Sequence, residues 1–378
     1  MERPDVLIVS ASTGTGHLRA AEALRTAFAE MDPALRVEHV DLLTLAPRWV
    51  RSLYGAGFEM IAARAPRVWK GIYRLTDGVE HDRARWAPAA HALLFRAFRD
   101  LLRARPWSAC LCTHFLPCQL AAGRPGLPPF ALAITDLTLH RVWVQPGVRR
   151  YFVATEALAA ELRPRAGGAA VEVTGIPIDP AVARVPDRAE ARAEWELDAD
   201  RPVALVAGGG LGIGVEEAVH AALAGAHPAV TVVAVCGRNE AARARLAALR
   251  LPPDRLRVLG FVRGLPTLMS AADVVATKAG GLSVSEALAL GRPLLLTRPI
   301  PGAEEGNTRA LERSGAALAG RSDAEMRAAF ARVFSEPGLL PRLVASAAAL
   351  GRPSSARAVA ESVVREGTLT RQLAAATR

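Results

Sequence analysis

"DVLIVSASTGTGHLRAAEAL", residues 5–24, decides the fold. "DVLIVSAS" is a short, almost uninterrupted apolar run, the pattern of a strand buried on both faces. "STGTG" is a turn, and residues 17–30 then read as a helix. A strand entering a helix through a glycine-rich turn opens a βα unit of a parallel sheet. At the helix entrance stands His17. The positive end of the helix dipole favours neutral imidazole there over its cation. His17 is therefore a candidate general base, set against the plainer reading of a histidine that caps or packs a helix end.

The alternation continues along the chain. "LRVEHVDL", "SACLCTHF", "FALAITDL" and "YFVATE" are further apolar runs, each followed by turn or helix material. A second series begins at "PVALVAGGG" and passes through "AVTVVAVCG", "RLRVLGFV", "ADVVATKAGG" and "RPLLLTRP". Two such series predict an α/β chain of two Rossmann-like, doubly wound domains. The expected boundaries are residues 1–175 for the first domain and 202–350 for the second. Residues 176–201, rich in proline and charge, read as the linker. Residues 351–378 read as a C-terminal helix with the option of crossing back to the first domain.

Composition narrows the partners. The chain has 378 residues and a formal net charge of +10, which favours phosphate groups, anionic lipid or nucleic acid. Of 47 basic residues 45 are arginine, so the two lysines, Lys70 and Lys278, stand out. No apolar run is long enough to span a bilayer, and "MERPDVLIVSAS" is a poor signal peptide. A cytoplasmic protein, peripherally attached to the inner face of the membrane, is expected. "CLCTHFLPC" holds three of the four cysteines, but C-x-C-x-H-x3-C is not a zinc spacing. Buried strand cysteines are the plainer reading, and no metal site is expected. His114, at the end of that strand, is placed to face a cleft.

Residues 47–107 depart from the rhythm. They hold nine of the chain's 19 aromatics, and 12 Arg/Lys against five Asp/Glu. Arginines interleaved with aromatic rings suit an anionic membrane surface. An amphipathic insertion packed on the domain is the structural alternative, and the two are compatible. Nucleic acid is not expected, since no reading motif accompanies the charge.

Three glycine-rich turns follow strands: "STGTGH", "AGGGLGIG" (207–214) and "TKAGGLSVSEAL" (277–288). Free backbone N–H groups at such helix N-termini attract anions. One turn alone is weak evidence, because tight turns also need glycine. Two in one domain, at the carboxyl edge of one sheet, imply a diphosphate ligand. Neither is a P-loop, and the first lacks the third glycine of the dinucleotide fingerprint, so ATP and redox cofactors are disfavoured. Lys278 adds a cation beside the third turn. Glu286, on the helix after it, reads as a ribose ligand or as a solvated helix-face residue. "PGAEEGN" (301–307) offers two carboxylates and an amide to sugar hydroxyls, or is an ordinary polar loop.

In order, "SASTGTGHLRAAEAL", "TDLTLHRVWV", "RYFVATE", "TGIPI", "AGGGLGIG", "CGRNE", "GFV", "TKAGG" with "SEAL", and "PGAEEGN" resemble one family. It is that of the monogalactosyldiacylglycerol synthases and processive diacylglycerol glucosyltransferases. This inverting group belongs to the same wider family as the peptidoglycan transferase acting on lipid I. The resemblance runs from about residue 5 to residue 320. It implies the GT-B architecture, two Rossmann-like domains facing a central cleft, with the acceptor on the first and a UDP-sugar on the second. Gly209 and Gly210 would approach the donor diphosphate from one side, and Gly280, Gly281 and Leu282 from the other. Phe261 falls where the family holds uracil, Glu286 where it binds ribose, and Glu304 and Asn307 on the sugar-facing loop. Ala303 departs from the glutamine common in the family, which leaves galactose and glucose both open as donor sugars. The segment 47–107 falls at the family's variable membrane and acceptor region.

The expected activity is transfer of a hexose from a UDP-sugar to the hydroxyl of a lipid acceptor, 1,2-diacylglycerol, giving a β-glycolipid. His17, matching the family's base, would take the hydroxyl proton. Asp136, ending another strand, would orient or assist it. Gly16 would leave room for the acceptor. His114, His140 and Trp143 would line its site, although loop packing explains the last two equally well. No cofactor or metal is required, because helix N-termini and Lys278 can meet the leaving charge. The rival readings are another lipophilic acceptor, a UDP-sugar epimerase, and a lipid-surface binder without catalysis.

Overall fold

The computed structural model describes residues 5–52, 71, 94–122, 124–299 and 302–376. Two compact units emerge. One runs to Pro180 and resumes at Ser354; the other runs from Ala181 to Pro353, apart from the short Pro301–Ala303 stretch.

The first unit is built on six parallel strands: β1 (Asp5–Ser10), β2 (Arg36–Asp41), β3 (Ala109–Cys112), β4 (Phe130–Ala133), β5 (Val148–Val153) and β6 (Ala170–Val173). Their order is β2-β1-β3-β4-β5-β6. From Val6 onward β1 is wholly buried, as are β3 and β4, which is why they read as apolar runs. The helix Thr15–Met31 covers one face through Ala20, Ala21, Leu24, Ala27 and Phe28, a helical spacing. Burying Leu24 and Phe28 contributes about 1.5–3 kcal/mol each. Ala356, Val359, Ala360 and Val363 of the C-terminal helix Ser355–Ala376 complete the same core. Arg150 on β5 adds an ionic tie, pairing with Glu172 of β6 and, at 2.6 Å, with Glu366 of that helix.

Of the segment 47–107, residues 53–70 and 72–93 lie outside the described residues, and with them Tyr54, Phe58, Trp69, Lys70, Tyr73 and Trp86. Its described ends divide. Trp49 is 61% exposed, whereas Phe95, Phe98 and Trp107 are core residues. The Trp107 indole donates to the Leu101 carbonyl at 3.0 Å. These three rings therefore serve packing.

The second unit repeats the plan with β7 (Val203–Ala207), β8 (Thr231–Val235), β9 (Leu256–Leu259), β10 (Val274–Thr277), β11 (Leu294–Leu296) and β12 (Ala317–Ala319). The order is β12-β11-β10-β7-β8-β9, again all parallel. The stretch 176–201, expected as a linker, folds into this unit from Ala181 onward. Its charges are structural. The Asp187 carboxylate caps the helix Arg188–Glu194, accepting from the Ala189 and Glu190 amides. Arg192 is 2% exposed. Its guanidinium donates to the carbonyls of Ala271, Asp198 and Ala199 and pairs with Asp273 at 2.9 Å. A buried charge satisfied on all sides welds the segment to the sheet.

Replacing Arg192 with alanine strips those partners and leaves Asp273 partly uncompensated. We expect a loss of about 3 kcal/mol in stability, read as a lower urea midpoint. An unchanged midpoint would mean that the segment behaves as a linker after all.

Candidate active site

In the first sheet β1 has β2 on one side and β3 on the other. The direction of strand addition reverses there, and ligands of open parallel sheets bind at the carboxyl ends flanking such a reversal. Three chain segments leave this edge side by side: the helix after β1, the turn after β3 and the turn after β4.

His17 is the third residue of the helix after β1, which is capped by Gly14. Its ring Nδ1 lies 2.8 Å from the Thr113 carbonyl oxygen after β3, and 3.1 Å from the Thr135 hydroxyl after β4. A carbonyl only accepts, so Nδ1 carries the proton and Nε2 presents a lone pair. The Thr113 hydroxyl returns a bond to the His17 carbonyl at 2.9 Å. Ring and backbone of the histidine are thus both fixed by one residue.

His114 meets His17 edge to face, with ring centroids 4.6 Å apart. It caps the helix Phe115–Ala121, its Nδ1 accepting the Leu116 amide at 3.1 Å, so its own proton sits on Nε2. Phe115 stacks on it at 4.2 Å, and Trp143 lies 6.1 Å from His17 and 6.4 Å from His114. Burial pulls the His17 pKa below the ordinary 6.5, while the charge of Asp136 and the bond to Thr113 partly restore it. Burial, and then the neighbouring His17, hold His114 well below that value. Both rings are neutral near pH 7.

Asp136 acts on His17 through its charge, and its carboxylate receives the Trp143 indole N–H at 3.2 Å. Thr113 and Thr135, which the sequence pattern did not single out, also hold the His17 ring. Their signal was position alone: both follow strand ends at the edge that holds His17. His140 is 4% exposed, and its Nδ1 caps the turn Arg141–Trp143 by accepting the Val142 amide. The Tyr151 hydroxyl bonds both the amide and the carbonyl of Gln145, anchoring the far side of the same loop. His140 is thus engaged in loop packing, while the Trp143 ring lies near both His17 and His114. Gly16 lies in the first helical turn, half-buried beside His17. Cys110, Cys112 and Cys118 are buried, and burial raises the Cys112 and Cys118 thiols well above their usual range. Among the described residues, no group of three or more His, Cys, Asp or Glu is placed to hold a metal ion.

The second unit has its reversal between β7 and β10. The glycine loops 208–214 and 278–281 leave these two strands. A Cβ on Gly212 would lie 2.1 Å from the Cys236 carbonyl oxygen, and one on Gly237 2.6 Å from that of Gly209. Packing accounts for those two glycines. Gly210 and Gly280 are different. Neither has a positive φ, and a Cβ on either meets nothing within 4 Å. Neither packing nor backbone conformation requires glycine at these two positions, which leaves the loop surface open there. Gly280 caps the helix that Gly281 begins, and the Leu282 side chain is buried beneath it. A Cβ on Gly209 would stand 3.9 Å from Lys278 Cε, which places the lysine where the two loops meet.

Three expectations in this unit change. Lys278 is not a free cation, for its ammonium pairs with Glu304 at 2.9 Å. "PGAEEGN" is a helix start from Ala303, not a loop, and Asn307 is 1% exposed with its amide on the Ala279 carbonyl at 3.0 Å. Asn307 therefore braces the loop after β10 from behind. Glu286 is 2% exposed, which removes the reading of a solvated helix-face residue. Phe261 is 58% exposed with the Arg238 guanidinium 5.6 Å from its ring, an open aromatic platform.

Two doubly wound units of parallel sheet, with glycine loops at the reversal of the second, are the architecture of GT-B glycosyltransferases, and comparison with known proteins places the chain in that class. Residues 17–178 match the family profile described as monogalactosyldiacylglycerol (MGDG) synthase, and residues 187–349 match glycosyl transferases group 1. The chain is 31% identical over 358 residues to the probable monogalactosyldiacylglycerol synthase 2, chloroplastic, of Oryza sativa subsp. indica, covering 88% of this chain and 74% of that one. It thus belongs to the monogalactosyldiacylglycerol synthase family. It is also 27% identical over 382 residues to the processive diacylglycerol beta-glucosyltransferase of Bacillus cereus (strain AH187), covering 97% and 95% of the two chains. The crystal structure of Acinetobacter baumannii MurG shares the fold, with a TM-score of 0.59 at 18% identity, covering 96% of this chain and 99% of that one.

The glycines separate fold from function. Gly210→Ala and Gly280→Ala should keep the wild-type melting temperature and weaken UDP-sugar binding by about tenfold or more, measured by calorimetry. Gly212→Ala should lower the melting temperature as well. Full UDP-sugar affinity in both of the first two variants would remove the ligand from these loops.

Proposed function

We propose that this chain transfers a hexose, galactose or glucose, from a UDP-sugar to the hydroxyl of 1,2-diacylglycerol with inversion at the anomeric carbon. One observation carries the reading. The His17 ring is pinned through Nδ1 to the Thr113 carbonyl and kept neutral by burial, leaving Nε2 as a proton acceptor at the reversal of the first sheet. Family membership supports the acceptor class, since the relatives are named for diacylglycerol and its galactolipid.

The chemistry is a single displacement. As the acceptor oxygen bonds to the anomeric carbon, its proton passes to His17 Nε2. The bond from that carbon to the diphosphate oxygen breaks, and its electron pair leaves with UDP. The backbone N–H groups after β7 and β10, with Lys278, meet the developing charge, so the reading assigns no cofactor. Phe261 takes the uracil, and Glu286 the ribose. Glu304 reaches the sugar while holding Lys278. On the acceptor side Gly16 leaves space, and His114 and Trp143 wall the site.

We place the enzyme at the cytoplasmic face of a membrane. Trp49, exposed between Arg48 and Arg51, continues the aromatic and basic pattern of residues 47–107. No helix among the described residues is long and apolar enough to cross a bilayer.

Purified protein incubated with labelled UDP-glucose or UDP-galactose and diacylglycerol vesicles should yield a β-hexosyl diacylglycerol, identified by mass spectrometry. His17→Ala should reduce transfer by about 10²–10⁴-fold while UDP-sugar binding persists. UDP-sugar turnover without a glycolipid product would overturn the acceptor reading, and turnover retained in His17→Ala would overturn the base.

The pH profile has a defined sign. The base works when neutral, and its pKa lies below 6.5, so activity should hold through pH 6.5 and fall only on further acidification. Asp136→Asn removes the charge that favours imidazolium, so the acid limb of kcat/KM should move to still lower pH. An acid limb unmoved by that substitution would show that Asp136 does not act on the base.

A further inference from the structure

We infer that Thr135 is a positioning residue of the transfer reaction, its hydroxyl acting as the second acceptor that sets the plane of the His17 ring. The inference rests on the reading of His17 as the base. A single bond from Nδ1 to the Thr113 carbonyl selects the tautomer but leaves the ring free to turn about that contact. The Thr135 hydroxyl, 3.1 Å from the same nitrogen, comes from the neighbouring strand end. Two acceptors on β3 and β4 therefore hold one nitrogen of a ring carried by the helix after β1, and the direction of Nε2 is fixed by both.

The roles of the two threonines are not interchangeable. A carbonyl can only accept, so Thr113 decides where the proton sits. A hydroxyl can turn either its lone pair or its proton to a ring nitrogen, so Thr135 alone would accept either tautomer. Thr135 is 7% exposed, which limits competition from solvent for its hydroxyl. When His17 takes the acceptor proton, its Nδ1–H becomes a charged and stronger donor. The Thr135 contact then strengthens as the reaction proceeds, which is the property that lowers a barrier rather than merely aiding binding. The titratable groups acting on the ring are Asp136, after the same strand as Thr135, and His114, after β3. Thr135 carries no charge, so its replacement leaves both in place.

The test compares Thr135→Val and Thr135→Ser, each in the wild type and in His17→Gln, using UDP-sugar and diacylglycerol vesicles. Valine keeps the shape and removes the acceptor, whereas serine keeps the hydroxyl. We expect Thr135→Val to lower kcat by about tenfold, with KM for the UDP-sugar within about twofold. Its acid limb should move to lower pH, because the lost bond favoured the protonated ring. Thr135→Ser should restore both the rate and the limb, and Thr135→Val should add nothing in the His17→Gln background. UDP-sugar affinity reports folding of the second unit, and the melting temperature that of the whole chain. If the valine variant melts early, the serine variant and its pH profile decide the matter. An unchanged rate and pH profile in Thr135→Val, or a serine variant as impaired as the valine one, would overturn the inference. If His17→Gln retains turnover, the base reading itself fails. If His17→Gln is inactive and Thr135→Val is not impaired, only the role of Thr135 falls.

Discussion

The pairing of β1 with β3 governs the chemistry of the first unit. Because β2 is already on the other flank of β1, the chain must cross the sheet before β3 can pair. That crossing brings the ends of β1, β3 and β4 next to one another. The bond from the His17 ring to the Thr113 carbonyl exists only because those ends are neighbours, and so does the approach of Thr135 and His114. The registers Val9 with Cys112 and Cys112 with Leu132 are thus part of the site. A slip of either strand would move the carbonyl away from the ring and free Nδ1 to lose its proton.

Both units use the same local device for opposite ends. A strand passes through glycine into a helix, whose N-terminus has a positive dipole. In the second unit two such ends follow β7 and β10, with Lys278, paired to Glu304, beside them. In the first unit a histidine occupies the end, and burial keeps it from charging. The aromatic wall of Phe115 and Trp143, together with His114, strengthens this by withholding water from the imidazole.

Much of this is legible without coordinates. Buried parallel strands advertise themselves as apolar runs, and ten of the twelve strands among the described residues overlap runs that stand out in the sequence. β6 and β12 do not, being short edge strands with partly exposed positions. The glycine turns are legible because glycine is chemically conspicuous. Partnership across sequence distance is not. Nothing in "CTHFL" says that the Thr113 carbonyl, 96 residues from His17, will choose its tautomer. Likewise the charges of 181–201 look solvated until Arg192 is seen among the carbonyls of three separate residues. Lys278 and Glu304 each invite a ligand role, and their ion pair joins two roles that the linear pattern keeps apart.

The C-terminal helix has a consequence for how the molecule is made. Val359 and Val363 fill the core beneath the helix Thr15–Met31, and Glu366 pairs with Arg150. The unit that holds β1 is therefore closed by a helix that follows the whole of the other unit in the chain. The other unit is nearly continuous in sequence, from Ala181 to Pro353, and has every element it needs before that helix is made. The usual order, in which the N-terminal domain matures first during translation, is reversed. The half that carries His17 lacks part of its core until that helix has been made. A chain cut before Ser355 would keep every strand of the second unit and lose Ala356, Val359, Ala360 and Val363 from the core of the first.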